Sequence, residues 1–363
     1  MTSVTTLADP RDLREVVDVV IGVDTHVHTH AAAVIDARTG GVLAEVTLEA
    51  TAEGYAQLLE FADAHAALRA WAIEGTGSHG AGLTRHLQRH DEVVIELDRP
   101  VRAKRRHGAK SDPLDAIRAA REALARPRLG APRAGGDRQA LAVLLTVRRS
   151  AVEAAGDAQR QLLSLLIAAP EPLRAKLRGL STARVVETAA ALRTRSTHDT
   201  ETATTIAALR ALARRVQTLN EEATAHERAI AAIVKTWRPD LLDQTGVGPI
   251  VAATVLAAWS HTGRIYSEAA FAMIAGVAPI PATSGQTIDR HRLNRSGDRQ
   301  LNRALHTIVL TRIRHDPATR DYIARRTAEG KTSREIKRCL KRYVARHLYR
   351  TLENHQPSPL DAT

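Results

Sequence analysis

Residues 17–130 alternate between short apolar runs and amphipathic stretches in one order, and that order restricts the folds open to the chain. VVDVVIGVDTH, AAAVIDA and GGVLAEVTLEA read as three successive strands, with Gly40-Gly41 as the hairpin signal between the last two. TAEGYAQLLEFADAHAAL then has helical spacing, with Leu58, Leu59, Phe61 and Ala62 apolar. AWAIEGTG is a short apolar strand that ends in a glycine-rich turn. GAGLTRHLQRH is a helix and EVVIELD another strand. SDPLDAIRAAREALA is a helix that Ser111 can cap and that carries Pro113 in its first turn.

The order β-β-β-α-β-α-β-α predicts a mixed sheet with helices on both faces, the ribonuclease-H-like plan. Four acids fall at positions that matter in such a plan. Asp24 ends the first strand and Glu74 the fourth, while Asp112 and Asp115 lie three apart on one face of a helix. Like charges in close contact repel, so such a cluster calls for cations. Mg2+ suits it, with hard oxygen ligands and room for phosphate oxygens, and Mn2+ is a substitute. Two ions about 3.5–4 Å apart can clamp the attacking and leaving oxygens of a phosphodiester. Asp36, at the end of the second strand, is a spare candidate. His26, His28 and His30 alternate after Asp24, but no fourth zinc ligand is evident, so polar, phosphate-facing or surface roles are expected.

Beyond residue 136 the composition shifts to Ala, Leu, Arg and Glu. Residues 137–168 and 200–236 read as two long helices, broken near Pro170 and Pro172 and again around Ser196 to Thr200, and suited to an antiparallel hairpin or coiled coil. From Leu241, Gly-Val-Gly-Pro falls between helical stretches, the pattern of a helix-hairpin-helix element. There Gly246 and Gly248 let backbone N–H groups approach a phosphate. PIPATSGQT is loop-rich and holds Ser284 before a glycine. A basic loop entering a helix, a last basic helix and a polar tail follow.

Charge points to a polyanion. The chain carries 52 Lys and Arg against 40 Asp and Glu, and all but seven of the basic residues are arginine. Residues 285–350 hold a net charge of +12, the excess of the whole chain, and residues 99–110 hold six cations and no acid. Such local blocks suit nucleic acid. The candidate contacts are Arg99, Arg102, Lys104, Arg105, Arg106 and Lys110 in the first block, and Arg290, Arg292, Arg295, Arg299 and Arg303 in the second. No apolar run is long enough for a membrane helix, and the N-terminus does not read as a secretory signal. Cys339 is the only cysteine, which excludes an internal disulfide. A cytoplasmic setting with no membrane partner is expected.

GVDTHVHTHAAAVID, AIEGTGSHGAGLTRHL, RPVRAKRRHGAKSDPLDA, GVGPIVAATVL and GVAPIPATSGQT, followed by HRLNRSGDRQLNRAL, resemble the transposases of the insertion-sequence 110 family and its 116/902-like branch. The likeness runs from about residue 18 to 352. It implies a RuvC-like Asp-Glu-Asp-Asp nuclease domain at 17–130, a helical coiled-coil region at 137–236, and a mainly helical transposase domain at 240–352 with a catalytic serine. Tails at 1–16 and 353–363 complete the expected α/β plus α architecture. By motif, Asp24, Glu74, Asp112 and Asp115 take the acidic positions and Ser284 that of the serine. Thr283 stands where the family usually has a first serine, Val27-His28 where Lys-Asp is frequent, and Ser296 where glycine is frequent. The resemblance further implies a bridge RNA pairing with donor and target DNA, and a composite site in a homo-oligomer, dimer or tetramer. A hydrolytic junction-resolving nuclease is the alternative, and it leaves residues 240–350 without chemistry.

Overall fold

The computed structural model of the chain describes residues 13–97, 112–282, 291–294 and 296–354. It divides into two units, residues 1–135 with 260–266, and residues 136–259 with 267–363.

The first unit is built on strands β1 (Val19–Thr25), β2 (Thr29–Asp36), β3 (Val42–Glu49), β4 (Arg69–Glu74) and β5 (Val93–Leu97). Their order in the sheet is β3-β2-β1-β4-β5. β1–β2 and β2–β3 are antiparallel; β1–β4 and β4–β5 are parallel. Helices α1 (Ala52–Asp63), α2 (Ala81–Arg89) and α3 (Asp112–Ala125) fall at the expected places in the chain. Thr51 caps α1, its Oγ1 accepting from the Gly54 N–H at 3.1 Å. The cap at Ser111 lies outside the described residues.

Alternation within the central strands divides the apolar residues between two faces. Ile21, Val23, Trp71 and Ile73 pack with Leu58, Leu83 and Leu87 of α1 and α2. Val20, Ala70 and Ala72 pack with Ala116, Ala120 and Ala123 of α3. β3, paired on one side only, alternates between exposed and half-buried positions, as an edge strand does. α3 lies against β1 so closely that a Cβ built on Gly22 falls 1.9 Å from the Ala116 carbonyl oxygen and 2.6 Å from the Ala120 nitrogen. The segment 260–266 belongs to this unit: Arg264 pairs with Glu96 of β5 at 2.8 Å, both nearly buried, and the Ser260 hydroxyl accepts from the Ala134 N–H at 2.8 Å.

The second unit holds the two long helices, α4 (Gly136–Ala168) and α7 (Thr200–Trp237). They run antiparallel: the Arg148 Nε donates to Glu227 at 2.8 Å, while Ala158 and Leu162 share a core with Leu209, Ala213 and Val216. The breaks expected near Pro170 and Ser196 bound α5 (Glu171–Leu177) and α6 (Thr182–Ala190), whose Leu173, Val185, Val186 and Ala189 close that core. Next come α8 (Pro249–Trp259), apolar nearly all round and set in the core, and α9 (Glu268–Ile274). The two-stranded ribbon β6 (Pro279–Pro281) and β7 (His291–Leu293) is antiparallel. α10 (Arg299–His315), α11 (Pro317–Ala328) and α12 (Ser333–Glu353) complete the chain. Arg238, 2% exposed, ends α7 by pairing with Asp240 and donating to the Thr351 carbonyl.

The Gly22 contact predicts a sharp penalty for a methyl group. Gly22→Ala is expected to lower stability by about 3 kcal/mol or more through overpacking. Gly40→Ala meets open space and bears only the strain of φ +71°, about 1 kcal/mol. Urea unfolding of both variants checks this, and equal losses would contradict the close approach.

Candidate active site

Val20, Gly22 and Asp24 point to the α3 face of β1, and Ala70, Ala72 and Glu74 to the same face of β4. The parallel register pairs Val23 with Ile73, so Asp24 and Glu74 end adjacent strands side by side. The Thr25 hydroxyl donates to the Glu74 carbonyl at 3.0 Å and ties the two strand ends together. Gly75, at φ +73°, turns the chain immediately afterwards. α3 runs so that Ala116 lies over Gly22, and its first turn, with Asp112 and Asp115, lies towards Asp24.

His26 completes the cluster. Its Nε2 is 3.2 Å from an Asp24 carboxylate oxygen and 3.4 Å from one of Asp112. One ligand atom from each of Asp24, His26 and Asp112 lies within 4.8 Å of the others. Burial raises the Asp24 pKa above the usual carboxylate value; the Asp115 and Asp112 carboxylates raise it further, and His26 opposes them. Asp115 also pairs with Arg118 at 2.6 Å. Hard carboxylate oxygens and one imidazole nitrogen, crowded so that a carboxyl holds its proton more tightly, suit a divalent cation such as Mg2+ or Mn2+.

The structure sharpens one histidine expectation and changes another. Of the polar, phosphate-facing or surface roles expected, His26 takes a polar one beside Asp24 and Asp112 while its side chain stays half-exposed. His30 is fully buried and stacks on Tyr55, with ring centroids 5.7 Å apart. It faces α1, because β1 pairs it with Thr25, on the side of the sheet opposite Asp24. His28 is exposed as expected. Asp36 leaves the candidate set. It pairs with Val19 at the far end of the sheet, and its carboxylate accepts from the Arg38 and Thr39 N–H groups as a turn cap.

Ser284 lies outside the described residues, as do Arg99, Arg102, Lys104, Arg105, Arg106, Lys110, Arg290 and Arg295. Arg292 is exposed on β7, and Arg299 and Arg303 are exposed on α10. Gly246 has φ +90°, and a Cβ there would sit 3.0 Å from the Ile308 carbonyl of α10, so packing and conformation both call for glycine. Gly248 is exposed with open space before α8.

Two family models match the chain. One, described as a transposase of the DEDD type, matches residues 21–169, from β1 into α4; the other, "Transposase IS116/IS110/IS902 family", matches residues 240–324. Both matches are to transposase models, and the acidic cluster falls in the first matched stretch. Both matched stretches are similar to transposases of the IS110/IS116/IS902 type. It is similar to the insertion element IS110 43.6 kDa protein of Streptomyces coelicolor, at 33% identity over 33% of this chain and 30% of that one. It is also similar to the insertion element IS900 42 kDa protein of Mycobacterium paratuberculosis, at 34% identity over 32% of this chain and 29% of that one. The chain thus spans less than a third of the length of these curated relatives in the matched stretch. Among the described residues no helix is long and apolar enough to cross a membrane.

The raised Asp24 pKa has a signed consequence. The folded state holds this proton to higher pH than the unfolded chain, so its contribution to stability is present at low pH and lost as pH rises through the folded pKa. Asp24→Asn mimics the protonated form. Without metal, the variant is expected to melt above the wild type at pH 7, with the difference narrowing below about pH 4. With Mg2+ or Mn2+ added, the wild type should gain and the variant gain little. A metal-free variant less stable than the wild type, with an unchanged response to metal, would contradict the site.

Proposed function

We propose that the protein is the transposase of a bacterial insertion sequence, cutting and rejoining DNA by serine phosphodiester exchange under the guidance of a bridge RNA. The observation that carries this reading is the cluster of Asp24, His26 and Asp112, with Asp115 in the same first turn of α3 and Glu74 at the end of the strand beside Asp24. The β-β-β-α-β-α-β-α order and strand directions support a RuvC-like, ribonuclease-H-type unit.

In this reading Asp24, Glu74, Asp112 and Asp115 hold the Mg2+ cofactor, with Mn2+ as its substitute. When bound, the ion polarises the scissile phosphate and offsets charge that builds on its oxygens. The residues of the chain do the rest. Thr25 and Gly22 fix where the acids stand. The Ser284 hydroxyl attacks phosphorus: an Oγ–P bond forms, the serine proton departs, and one DNA strand leaves as a hydroxyl end that takes up a proton. Attack by another strand's hydroxyl reverses these steps and restores the serine, so the phosphodiester energy is conserved. The basic residues of the blocks at 99–110 and 290–303 serve nucleic-acid phosphates. The partners are donor and target duplex DNA, a structured noncoding guide RNA and further copies of the chain, in a cytoplasmic, nucleoid-associated setting.

Ser296 is the natural rival to Ser284, and its hydroxyl is already engaged. Its Oγ donates to the Asn294 side-chain oxygen at 2.7 Å, and its N–H donates to the same oxygen at 3.0 Å. Ser284→Ala is expected to abolish strand exchange and the denaturant-resistant protein–DNA adduct, while RNA-dependent DNA binding persists. Ser296→Ala should keep the adduct. Denaturing gels with Mg2+, guide RNA and matched DNA make the comparison. Continued cutting by Ser284→Ala would replace this mechanism with a hydrolytic junction-resolving nuclease.

A further inference from the structure

In the second unit, a cavity of about 340 Å³ opens between the residues that follow α9, the β6–β7 ribbon and one face of α12. Arg338, Lys341, Arg342 and Arg346 line it from α12, spaced three, four and eight residues after the first, so that they share a helix face. Arg292 of β7 adds a fifth cation, and among the described residues no carboxylate lines the cavity.

The counter-charge beside this group is small. Glu268 of α9 accepts from Arg342 and Arg346 at 3.2 and 3.1 Å, and Arg350 also lies 3.9 Å from it. Lys341 donates to the Asn302 amide oxygen at 2.9 Å, a neutral partner. That amide is itself oriented by donating to the Ala275 carbonyl at 2.8 Å. The Arg342 Nη1 is buried with no hydrogen-bond partner. Arg338 and Arg292 form no ion pair among the described residues. Burial, and then the charge of Arg338, lower the Lys341 pKa. Arg292 and Arg338 are exposed and Lys341, Arg342 and Arg346 half-buried, so an anionic ligand would reach them and offset the repulsion among them.

The geometry points to this cavity as a binding site for a phosphodiester of the DNA strand that Ser284 attacks. Guanidinium groups recognise phosphate through paired donors, and Arg342, which lines the cavity, has its Nη1 without a partner among the described residues. Val277, Ala278, Pro279 and the half-exposed Tyr343 supply an apolar wall for the sugar and base attached to that phosphate. DNA is the choice over RNA because of chain order. β6 ends at Pro281 and β7 begins at His291, so the ribbon that edges the cavity brackets residues 282–290, which include Ser284. The assignment rests on the function proposed above, and it adds residues of α12 that the sequence reading did not single out.

The test is the salt dependence of binding by the full chain, without metal, to labelled duplex DNA and to labelled single-stranded RNA, each of mixed sequence. Each phosphate contact contributes about 0.9 to the slope of log K against log salt. Arg338→Gln with Lys341→Gln is expected to flatten the DNA slope by about one to two and weaken binding on the order of tenfold or more near 0.1 M salt. The RNA slope should stay unchanged, and so should the DNA slope of Arg184→Gln, on α6 and paired with Glu187. Arg338→Gln alone, which breaks no ion pair, keeps the test open if the double variant melts early. An unchanged DNA slope, an RNA slope that falls instead, or an equal effect of Arg184→Gln would each overturn the assignment. Because no metal is present and nothing is cut, these outcomes are separate from that of Ser284→Ala. A wild-type chain that binds no DNA would instead remove the functional reading, and the cavity's role with it.

Discussion

The candidate active site depends on one contact, the seating of α3 on the backbone of β1 at Gly22. No side chain fits between the strand and the Ala116–Ala120 stretch of the helix. Two residues beyond Gly22 on the strand is Asp24; on the helix Asp112 lies one turn before Ala116 and Asp115 immediately before it. The small residues on this face, Ala70, Ala72, Ala116, Ala119, Ala120 and Ala123, serve the same end. They let a helix that begins with two acids lie close to strands that end with two more. A bulkier face would hold the helix off and open the cluster.

Electrostatics in the two units run in opposite directions. In the first, burial and then the neighbouring Asp115 and Asp112 carboxylates make Asp24 hold its proton more tightly, against the opposing effect of His26. In the second, cations line a cavity beside Glu268, and Lys341 gives up its proton more readily. Neither arrangement is the most stable that the fold could hold, since each keeps like charges together in a partly buried place. Under the proposed function, ligands of one reaction would relieve both, a divalent cation for the acids and a phosphate for the bases.

The first unit was legible in the sequence because its strands are apolar runs cut by glycine turns. The strand and helix order over residues 17–125 is the one that patterning predicts. Asp24 and Glu74 were found because they end strands, and Asp112 and Asp115 because they open a helix. His26 was read only as a polar or surface group; its place beside Asp24 follows from the turn between β1 and β2, which residue spacing alone does not show. Asp36 also ends a strand, but β2 runs antiparallel to β1, which carries it to the far end of the sheet. α5, α6 and α11 were not assigned, being short helices fixed by what they cover more than by their own periodicity. The place of residues 260–266 depends on the Arg264–Glu96 pair, 168 residues apart, which no local pattern can show. The cationic face of α12 was visible only as part of a basic block; which of its residues line a cavity depends on α9 and the ribbon.

The most direct test of this account is the position of a metal ion. A crystal of the protein grown with Mn2+ and measured near the manganese absorption edge should show anomalous density among the side chains of Asp24, Glu74 and the first turn of α3, with carboxylate oxygens about 2.1 Å away. The same peak should vanish in Asp24→Asn. Manganese bound elsewhere, with this cluster empty and its carboxylates paired only with His26 and Arg118, would contradict the claim that the Gly22 contact exists to assemble a metal site.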